Sequence, residues 1–334
     1  MTSTEQLEQK LKNQELDSLY LLYGEETFLL ESSLKKIKKN FGELVLGINY
    51  FQIDETTVKD LIQNIETVAF GYPKKLIIVK NANICKKEAK KNKSDISLIQ
   101  KYIEENIVSI KNSVVLVIIE PSVDKIPLID VIEKNGVVCN FEELKLPVLI
   151  KKIKEVCNLY QVNMSEADLK YFVTECGTNM QELMNEIRKL IEYTEKEGTI
   201  TKKAIDLLCI KQLDSIIFDL TDSLGKKDNK NALNILEELI AQKEAPQKII
   251  ISIYGHLKKL YLLKHCEEEK SDIVKSLGLK PNQIFLVSKY KEQAKRFTKL
   301  ELEKCLNELT KLDRDSKIGL IDLQIGLEAF ICNV

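Results

Sequence analysis

The chain has 334 residues, of which 44% are hydrophobic and 30% are charged, and its formal net charge is −1. This composition is ordinary for a globular protein of two or three domains, and the near-zero charge excludes a strong overall field that would attract nucleic acid or a membrane surface. No apolar run approaches the ~20 residues of a membrane span, and the polar N-terminus lacks a signal-peptide core, so we expect a cytoplasmic protein that contacts no membrane.

The cysteines and histidines follow no recognisable metal or catalytic motif. The eight cysteines are scattered without any C-x-x-C spacing, which favours buried free thiols. His256 and His265 are the two histidines, and their spacing does not bring them to one face of a helix. We therefore expect no metal, no cofactor and no histidine-based triad.

Residues 19–141 alternate short apolar runs with helical patterns. The runs are rich in β-branched and aromatic residues and nearly continuous, which is typical of strands covered on both faces. The predicted strands are Leu19–Tyr23, Asn49–Ile53, Leu76–Lys80, Val114–Ile119 and Val137–Phe141. Because helical patterns separate them, the sequence predicts an α/β domain with a parallel sheet and right-handed crossovers.

The first strand ends at a glycine and leads into a helix, a junction that holds a nucleotide phosphate in many α/β proteins. Here Glu25 and Glu26 would repel a phosphate, and Leu29 falls near the position of the lysine that a P-loop requires. The third strand ends in Lys80 and Asn81, where a metal-holding acidic pair would be expected. Two interpretations stay open: a doubly wound domain that never bound nucleotide, and an ATPase-like scaffold without its catalytic residues.

After residue 141 the patterns are almost entirely helical. Amphipathic stretches up to about Ile210 predict a small three-helix unit, and Ser165 with Asp168 forms a capping-box pattern before one of them. Everything from Lys211 onward has helical character. The segment Ile318–Cys332 is apolar nearly all round, so we expect it to be deeply buried or packed against a partner.

One loop between a predicted helix and a predicted strand is unusually apolar. It carries Val68, Ala69, Phe70 and Tyr72, and a glycine and a proline mark it as a turn. Such side chains are either core residues or protruding anchors for a partner, and the sequence leaves both interpretations open.

One dense basic run follows the third predicted strand. It contains Lys86, Lys87, Lys90, Lys91 and Lys93. The run is either a solvated loop or a surface that contacts nucleic acid.

The order and spacing of these motifs resemble the delta subunit family of the bacterial DNA polymerase III clamp loader. The motifs are LLYGEETFLLE, ETVAFGYPKKLIIVKNA, VVLVIIEPSVDK and CGTNMQELMNEIRKL, and an all-helical C-terminal third follows them. The resemblance implies an α/β parallel-sheet, AAA+-like N-terminal domain without a functional P-loop over residues 1–143. It also implies a three-helix lid over 144–210 and an all-α collar, the oligomerisation domain, over 211–334.

The same resemblance implies a function without catalysis. A delta subunit binds the ring-shaped sliding clamp and opens it for loading on primed DNA, and it does not itself hydrolyse ATP. The implied partners are the sliding clamp, which is the beta subunit, and the delta-prime and tau/gamma subunits of a pentameric ring in the DNA polymerase III holoenzyme. The family's clamp-binding tip falls on Val68, Ala69 and Phe70, with Tyr72 beside it, and the basic run supplies candidates to face DNA.

Two other function classes stay open on the sequence. One is an active AAA+ ATPase or helicase loader, which the absent Lys-Ser/Thr pair opposes. The other is a nucleic-acid-binding protein that acts through the basic run.

Overall fold

The computed structural model describes residues 2–87, 93–269 and 273–334, and the chain divides into two units, Met1–Glu143 and Leu144–Val334. The three-domain division of the sequence stays a prediction. Among the described residues, none of the helices combines the length and the apolar character that crossing a bilayer requires.

The first unit alternates strands and helices as the sequence predicted. Its strands are β1 (Leu19–Tyr23), β2 (Tyr50–Ile53), β3 (Lys75–Lys80), β4 (Val114–Glu120) and β5 (Val137–Asn140). Its helices are α1 (Thr4–Lys12), α2 (Thr27–Phe41), α3 (Leu61–Glu66), α4 (Lys93–Ser113) and α5 (Pro127–Asn135), with a 3-10 turn at Val58–Asp60 before α3. All five predicted strands are confirmed to within one residue at each end.

The five strands form one parallel sheet in the order β2-β3-β4-β1-β5. Helices cover both faces, so successive strand residues enter different cores: Leu19 and Leu21 pack with α3, α4 and α5, whereas Tyr20 and Leu22 pack with α1 and α2. Coverage on both faces explains why the strands are almost continuously apolar. Open α/β folds place their ligands at the carboxyl edge of such a sheet.

The second unit is helical apart from a two-residue parallel ladder between β6 (Asn163–Met164) and β7 (Thr199–Ile200). Its helices are α6 (Leu146–Leu159), α7 (Glu166–Cys176), α8 (Met180–Thr194), α9 (Lys202–Leu208), α10 (Leu213–Gly225), α11 (Asn229–Ala241), α12 (Pro246–Glu269), α13 (Ile273–Ser276), α14 (Val287–Ala294), α15 (Lys299–Lys317) and α16 (Leu323–Asn333), with a 3-10 turn at Pro281–Leu286. The three helices predicted before residue 210 are α6, α7 and α8, and the short α9 is an addition that the sequence did not reveal.

The apolar core of α10–α16 contains a buried polar cluster around His256. The His256 ring lies 2.6 Å from Oε1 of Gln293, whose amide nitrogen donates to the Phe218 carbonyl and the Thr221 hydroxyl. Burial lowers the pKa of His256 to about 4, so the ring is neutral at physiological pH. This histidine therefore contributes to the packing of the helices.

The C-terminal segment is less buried than its composition predicted. Helix α16 buries Leu327, Phe330 and Ile331, but Ile318, which precedes it, and Ile325 are more than half exposed. The expectation of deep burial is therefore wrong for these two side chains. The other possibility, that the segment packs against a partner, stays a prediction.

Candidate functional site

The loop between β1 and α2 is closed by the protein's own backbone. Gly24 has φ 128°, and a Cβ added there would lie 2.3 Å from the Phe141 carbonyl oxygen. The Glu26 amide donates to that same oxygen at 2.9 Å, and the Phe141 amide donates to the Tyr23 carbonyl. The glycine is thus explained by the close approach of the segment after β5, and no phosphate is needed to account for it.

The side chains around this loop differ from those of a P-loop. Glu26 is buried, and Leu29 packs against the core between α2 and the sheet. At the end of β3, the Lys80 ammonium pairs with the Glu31 carboxylate of α2. A cation therefore lies where an acidic metal ligand would be needed, and an apolar side chain lies near the expected position of the phosphate-binding lysine.

Besides Glu26, the carboxyl edge of the sheet carries a second buried acid among the described residues, which the sequence analysis missed. Glu120 ends β4 with only 1% of its surface exposed, and its Oε1 accepts a hydrogen bond from the Ile84 amide at 3.0 Å. Its Oε2 is buried and finds no hydrogen-bond partner among the described residues. Burial raises the pKa of Glu120 to about 7, because the charged form loses its hydration.

The turn between α3 and β3 presents two large apolar side chains to solvent. Val68 is 86% exposed and Phe70 is 89% exposed, whereas Ala69 between them is buried. The Tyr72 amide donates to the Ala69 carbonyl at 3.1 Å, and Tyr72 itself is half-buried. The interpretation of Phe70 as a core residue is therefore wrong, and of the predicted tip residues it is Ala69 that packs inward.

A buried lysine holds this turn in place. Lys75 is the first residue of β3, and its ammonium donates to the carbonyl oxygens of Asn64 and Thr67 at the end of α3. Those carbonyls belong to the end of the helix, where carbonyl oxygens have no hydrogen-bond donor within the helix itself. Burial lowers the pKa of Lys75. Sequence reasoning missed this residue, although a basic residue at the start of an apolar strand was a visible signal.

Two further exposed apolar side chains lie at the same end of the sheet as the turn. Leu46 and Ile48 are 71% and 43% exposed, and they precede β2 in the chain. Since β2 and β3 are adjacent and parallel, with Tyr50 opposite Leu76, the segments that precede both strands lie at the same edge. This edge therefore combines Val68 and Phe70 with two apolar residues that the sequence analysis did not single out.

The described lysines of the basic run differ in their contacts and exposure. The Lys86 ammonium bonds to the Ser122 hydroxyl at 2.7 Å and lies 3.7 Å from the Asp124 carboxylate, so its charge is partly offset. Lys87 and Lys93 are exposed. Lys90 and Lys91 lie outside the described residues.

Comparisons with known proteins cover nearly the whole chain. The family model for the DNA polymerase III delta subunit matches residues 20–142, and the model for the C-terminal domain of that subunit matches residues 214–334. Together these two models span most of the sequence.

Two curated relatives and one solved structure agree with these models. The DNA polymerase III subunit delta of Bacillus subtilis is 26% identical over 340 residues, covering 96% of this chain and 94% of that protein. A probable DNA polymerase III subunit delta of Aquifex aeolicus is 29% identical over 333 residues, covering 94% and 90%. The solved structure of the DNA clamp loader delta protein of Bacillus subtilis superposes with a TM-score of 0.70 at 23% identity, covering 99% of this chain and 98% of that one. This likeness confirms the predicted fold class, an α/β domain with a parallel sheet followed by helical structure.

Proposed function

Because the chain belongs to the DNA polymerase III delta subunit family, we propose that it is the clamp-loader subunit that binds the sliding clamp and opens the ring for loading on primed DNA. In this proposal it acts in the cytoplasm and assembles with delta-prime and tau/gamma subunits. Primed DNA is reached through the complex, with the exposed Lys87 and Lys93 as candidates to face it.

The observation that carries the proposal is the exposed pair Val68 and Phe70 on a turn held by Lys75. Exposure of an aromatic ring to water is unfavourable for the free protein. A partner that buries the ring gains about 1.5–3 kcal/mol of binding free energy. A fixed turn also lowers the conformational entropy lost on binding. Both features are those of an anchor that enters an apolar pocket of the clamp.

The first loop supports a subunit that does not hydrolyse ATP. Glu26, Leu29 and Lys80 stand where phosphate and metal ligands would be required, and each has a place in the protein's own structure. Isothermal titration calorimetry of the isolated chain with Mg-ATP should therefore show no binding at ordinary millimolar concentrations. A stoichiometric micromolar site would favour the alternative of an active AAA+ ATPase.

The decisive experiment measures the affinity of the chain for the cognate sliding clamp by surface plasmon resonance. Phe70→Ala should weaken binding by roughly 30-fold, or about 2 kcal/mol, because truncation removes an anchor that the clamp would bury. Leu46→Ala tests whether the contact extends along the same edge of the sheet. The matched control is Leu98→Ala, which truncates another exposed apolar side chain, near the start of α4 and thus toward the opposite edge.

The thermal midpoint of each free variant separates binding from folding. Since Phe70 is 89% exposed, its truncation should leave the midpoint unchanged while affinity falls. Wild-type clamp affinity in the Phe70→Ala variant, or an equal loss in Leu98→Ala, would contradict the assignment of this tip.

A further inference from the structure

Three metal-ligating side chains from separate segments of the second unit converge at one point. Cys176 is the last residue of α7, Glu186 lies in α8, and Cys209 follows α9. The two sulfurs and a carboxylate oxygen of Glu186 all lie within 4.8 Å of one another. In the part of the chain that the structure describes, this is the one group of three such ligands found together.

We propose that Cys176, Glu186 and Cys209 form a binding site for a thiophilic divalent cation of the Zn²⁺ type, with a water molecule as the fourth ligand. Two thiolates and a carboxylate suit such a cation and disfavour Mg²⁺ and Ca²⁺, which prefer all-oxygen sites. The proposal does not depend on the function in clamp loading.

The spacing of the ligand atoms requires only a small contraction on binding. In a tetrahedral site with Zn–S bonds of ~2.3 Å, two sulfurs lie roughly 3.8 Å apart. The present separations are at most 4.8 Å, so side-chain rotations that move each ligand atom by up to about 1 Å bring the three atoms to coordination distance. Cys209 lies outside regular structure and is half-buried, which leaves it room to adjust.

The surroundings of Glu186 hold its carboxylate beside the sulfurs. Its Oε2 accepts a hydrogen bond from the Ile210 amide at 2.9 Å and forms an ion pair with the Lys189 ammonium at 2.6 Å. Lys189 also donates to the Leu208 carbonyl at 3.1 Å, which fixes the ammonium beside the group. Such outer contacts hold the ligands of a metal site in position.

The charges of the assembled site balance. Two thiolates and one carboxylate carry three negative charges, which a divalent cation and the neighbouring Lys189 ammonium offset. The thiol protons leave to solvent as the cation binds, with no oxidation or reduction. A neutral total removes the cost that an isolated charge would have in a half-buried location.

The site is open to the cation and to water. Cys176 and Glu186 line a cleft of about 540 Å³, together with Ile210, Gln212 and polar side chains of α8 and α12. A cation bound there would join the end of α7, the middle of α8 and the segment that leads into α10. The Gln212 amide already donates to the Glu175 carbonyl in that segment, so the cation would reinforce an existing contact.

The test is a titration of the full-length chain with Co²⁺ under a non-thiol reductant, after treatment with a chelator. We expect one Co²⁺ per chain, a sulfur-to-cobalt charge-transfer absorption, and displacement of Co²⁺ by added Zn²⁺. Cys176→Ser and Cys209→Ser should abolish that absorption. Glu186→Gln keeps an acceptor for the Ile210 amide but loses the charge, and should weaken binding by roughly 10- to 100-fold.

Two control variants separate this site from other thiols. Cys332→Ser removes an exposed cysteine and Cys305→Ser a buried one, both remote in sequence, and neither should change the titration. The proposal is overturned if wild-type protein shows no thiolate–cobalt absorption, or if the absorption survives in Cys209→Ser. If Cys176→Ser does not fold, an unchanged affinity in folded Glu186→Gln would overturn it equally.

Discussion

At the scale of single residues, the contacts found at a few positions explain why a particular residue type stands there. Gly24 admits the Phe141 carbonyl where any Cβ would collide, Lys75 satisfies carbonyls at the end of α3, and Glu120 accepts from the loop after β3. Each of these residues holds a loop at an edge of the sheet. Substitutions at such positions therefore report on loop geometry.

Gly24→Ala should destabilise the first unit. The positive φ costs about 1–2 kcal/mol for a residue with a Cβ, and the clash with the Phe141 carbonyl adds about 1–3 kcal/mol. Hydrogen exchange of β1 and β5 peptides should accelerate accordingly. The matched control is Gly42→Ala, which has φ 100° but no atom within 4 Å of the added Cβ, and equal exchange in both variants would contradict the clash.

Glu120→Gln should remove part of the pH dependence of stability. The pKa of Glu120 is raised from 4.5 to about 7, so the folded state holds a proton that the unfolded state has released. Stability is therefore lost as pH rises from about 4.5 to about 7, by about 3 kcal/mol in all.

The measurement is the thermal midpoint of both proteins across that pH range. The variant should gain on the wild type as pH rises, and the difference should be constant above pH ~8 because Glu120 is then ionised in both states. A difference that does not vary with pH would mean that Glu120 titrates normally in the folded protein.

At the scale of elements, hydrogen bonds join α3, the following turn and β3 into one structural unit. The turn is short, Gly71 adopts φ 82°, and the Lys75 ammonium ties the end of the helix to the start of the strand. The tie places Ala69 inward and leaves Val68 and Phe70 outward. The position of the tip therefore depends on a buried residue that does not itself reach the surface.

Lys75→Met should loosen the tip without removing any exposed contact. The change leaves the Asn64 and Thr67 carbonyls without their donor, at a cost of about 1–3 kcal/mol. Hydrogen exchange should rise across residues 64–72, and clamp affinity should fall by less than in Phe70→Ala.

Its matched control is Lys74→Met. The Lys74 ammonium donates to the Ser18 hydroxyl and the Lys111 carbonyl, both at 2.9 Å, and not to the turn. Faster exchange over 64–72 in this control, or normal exchange in Lys75→Met, would show that the ammonium does not hold the turn.

At the scale of the whole molecule, the second unit ends in an apolar surface that its own core leaves uncovered. Helix α16 buries one side against the core, while Leu320 in the connection from α15 is 73% exposed and Ile325 is 61% exposed. An apolar surface of this kind is typical of a contact with another protein. It fits the proposed collar of a loader ring, whose other members would cover it.

The double substitution Leu320→Asp with Ile325→Asp should therefore prevent assembly with the other loader subunits. Two carboxylates buried in an apolar contact lose hydration without a partner, so complex formation should weaken at least tenfold. Size-exclusion chromatography of the mixed subunits measures complex formation, and circular dichroism shows whether the helices persist in the variant. Leu300→Asp, at the other end of α15 and 77% exposed, is the control. Assembly of the double variant at wild-type strength would contradict a contact at α16.

Local signals in the sequence determined the elements of this protein and their type. Continuous apolar runs gave the five strands because a parallel sheet buries both faces, and the spacing of apolar residues gave the long helices. The sequence also predicts that the first loop lacks the ligands of a P-loop, since Glu26, Leu29 and Lys80 are incompatible residue types whatever their surroundings. The short α9 was not predicted, because a helix of seven residues has too few positions to show a helical hydrophobic period.

Tertiary structure alone decided which residues face inward and which distant residues meet. Phe70 and Ala69 are both apolar, so composition could not tell which of them packs, and the turn geometry settled it. Cys176, Glu186 and Cys209 belong to three segments whose convergence follows from helix packing and not from any spacing along the chain. The physical reason is the same in both cases: a side chain's environment depends on the direction of its backbone relative to neighbours that are remote in sequence.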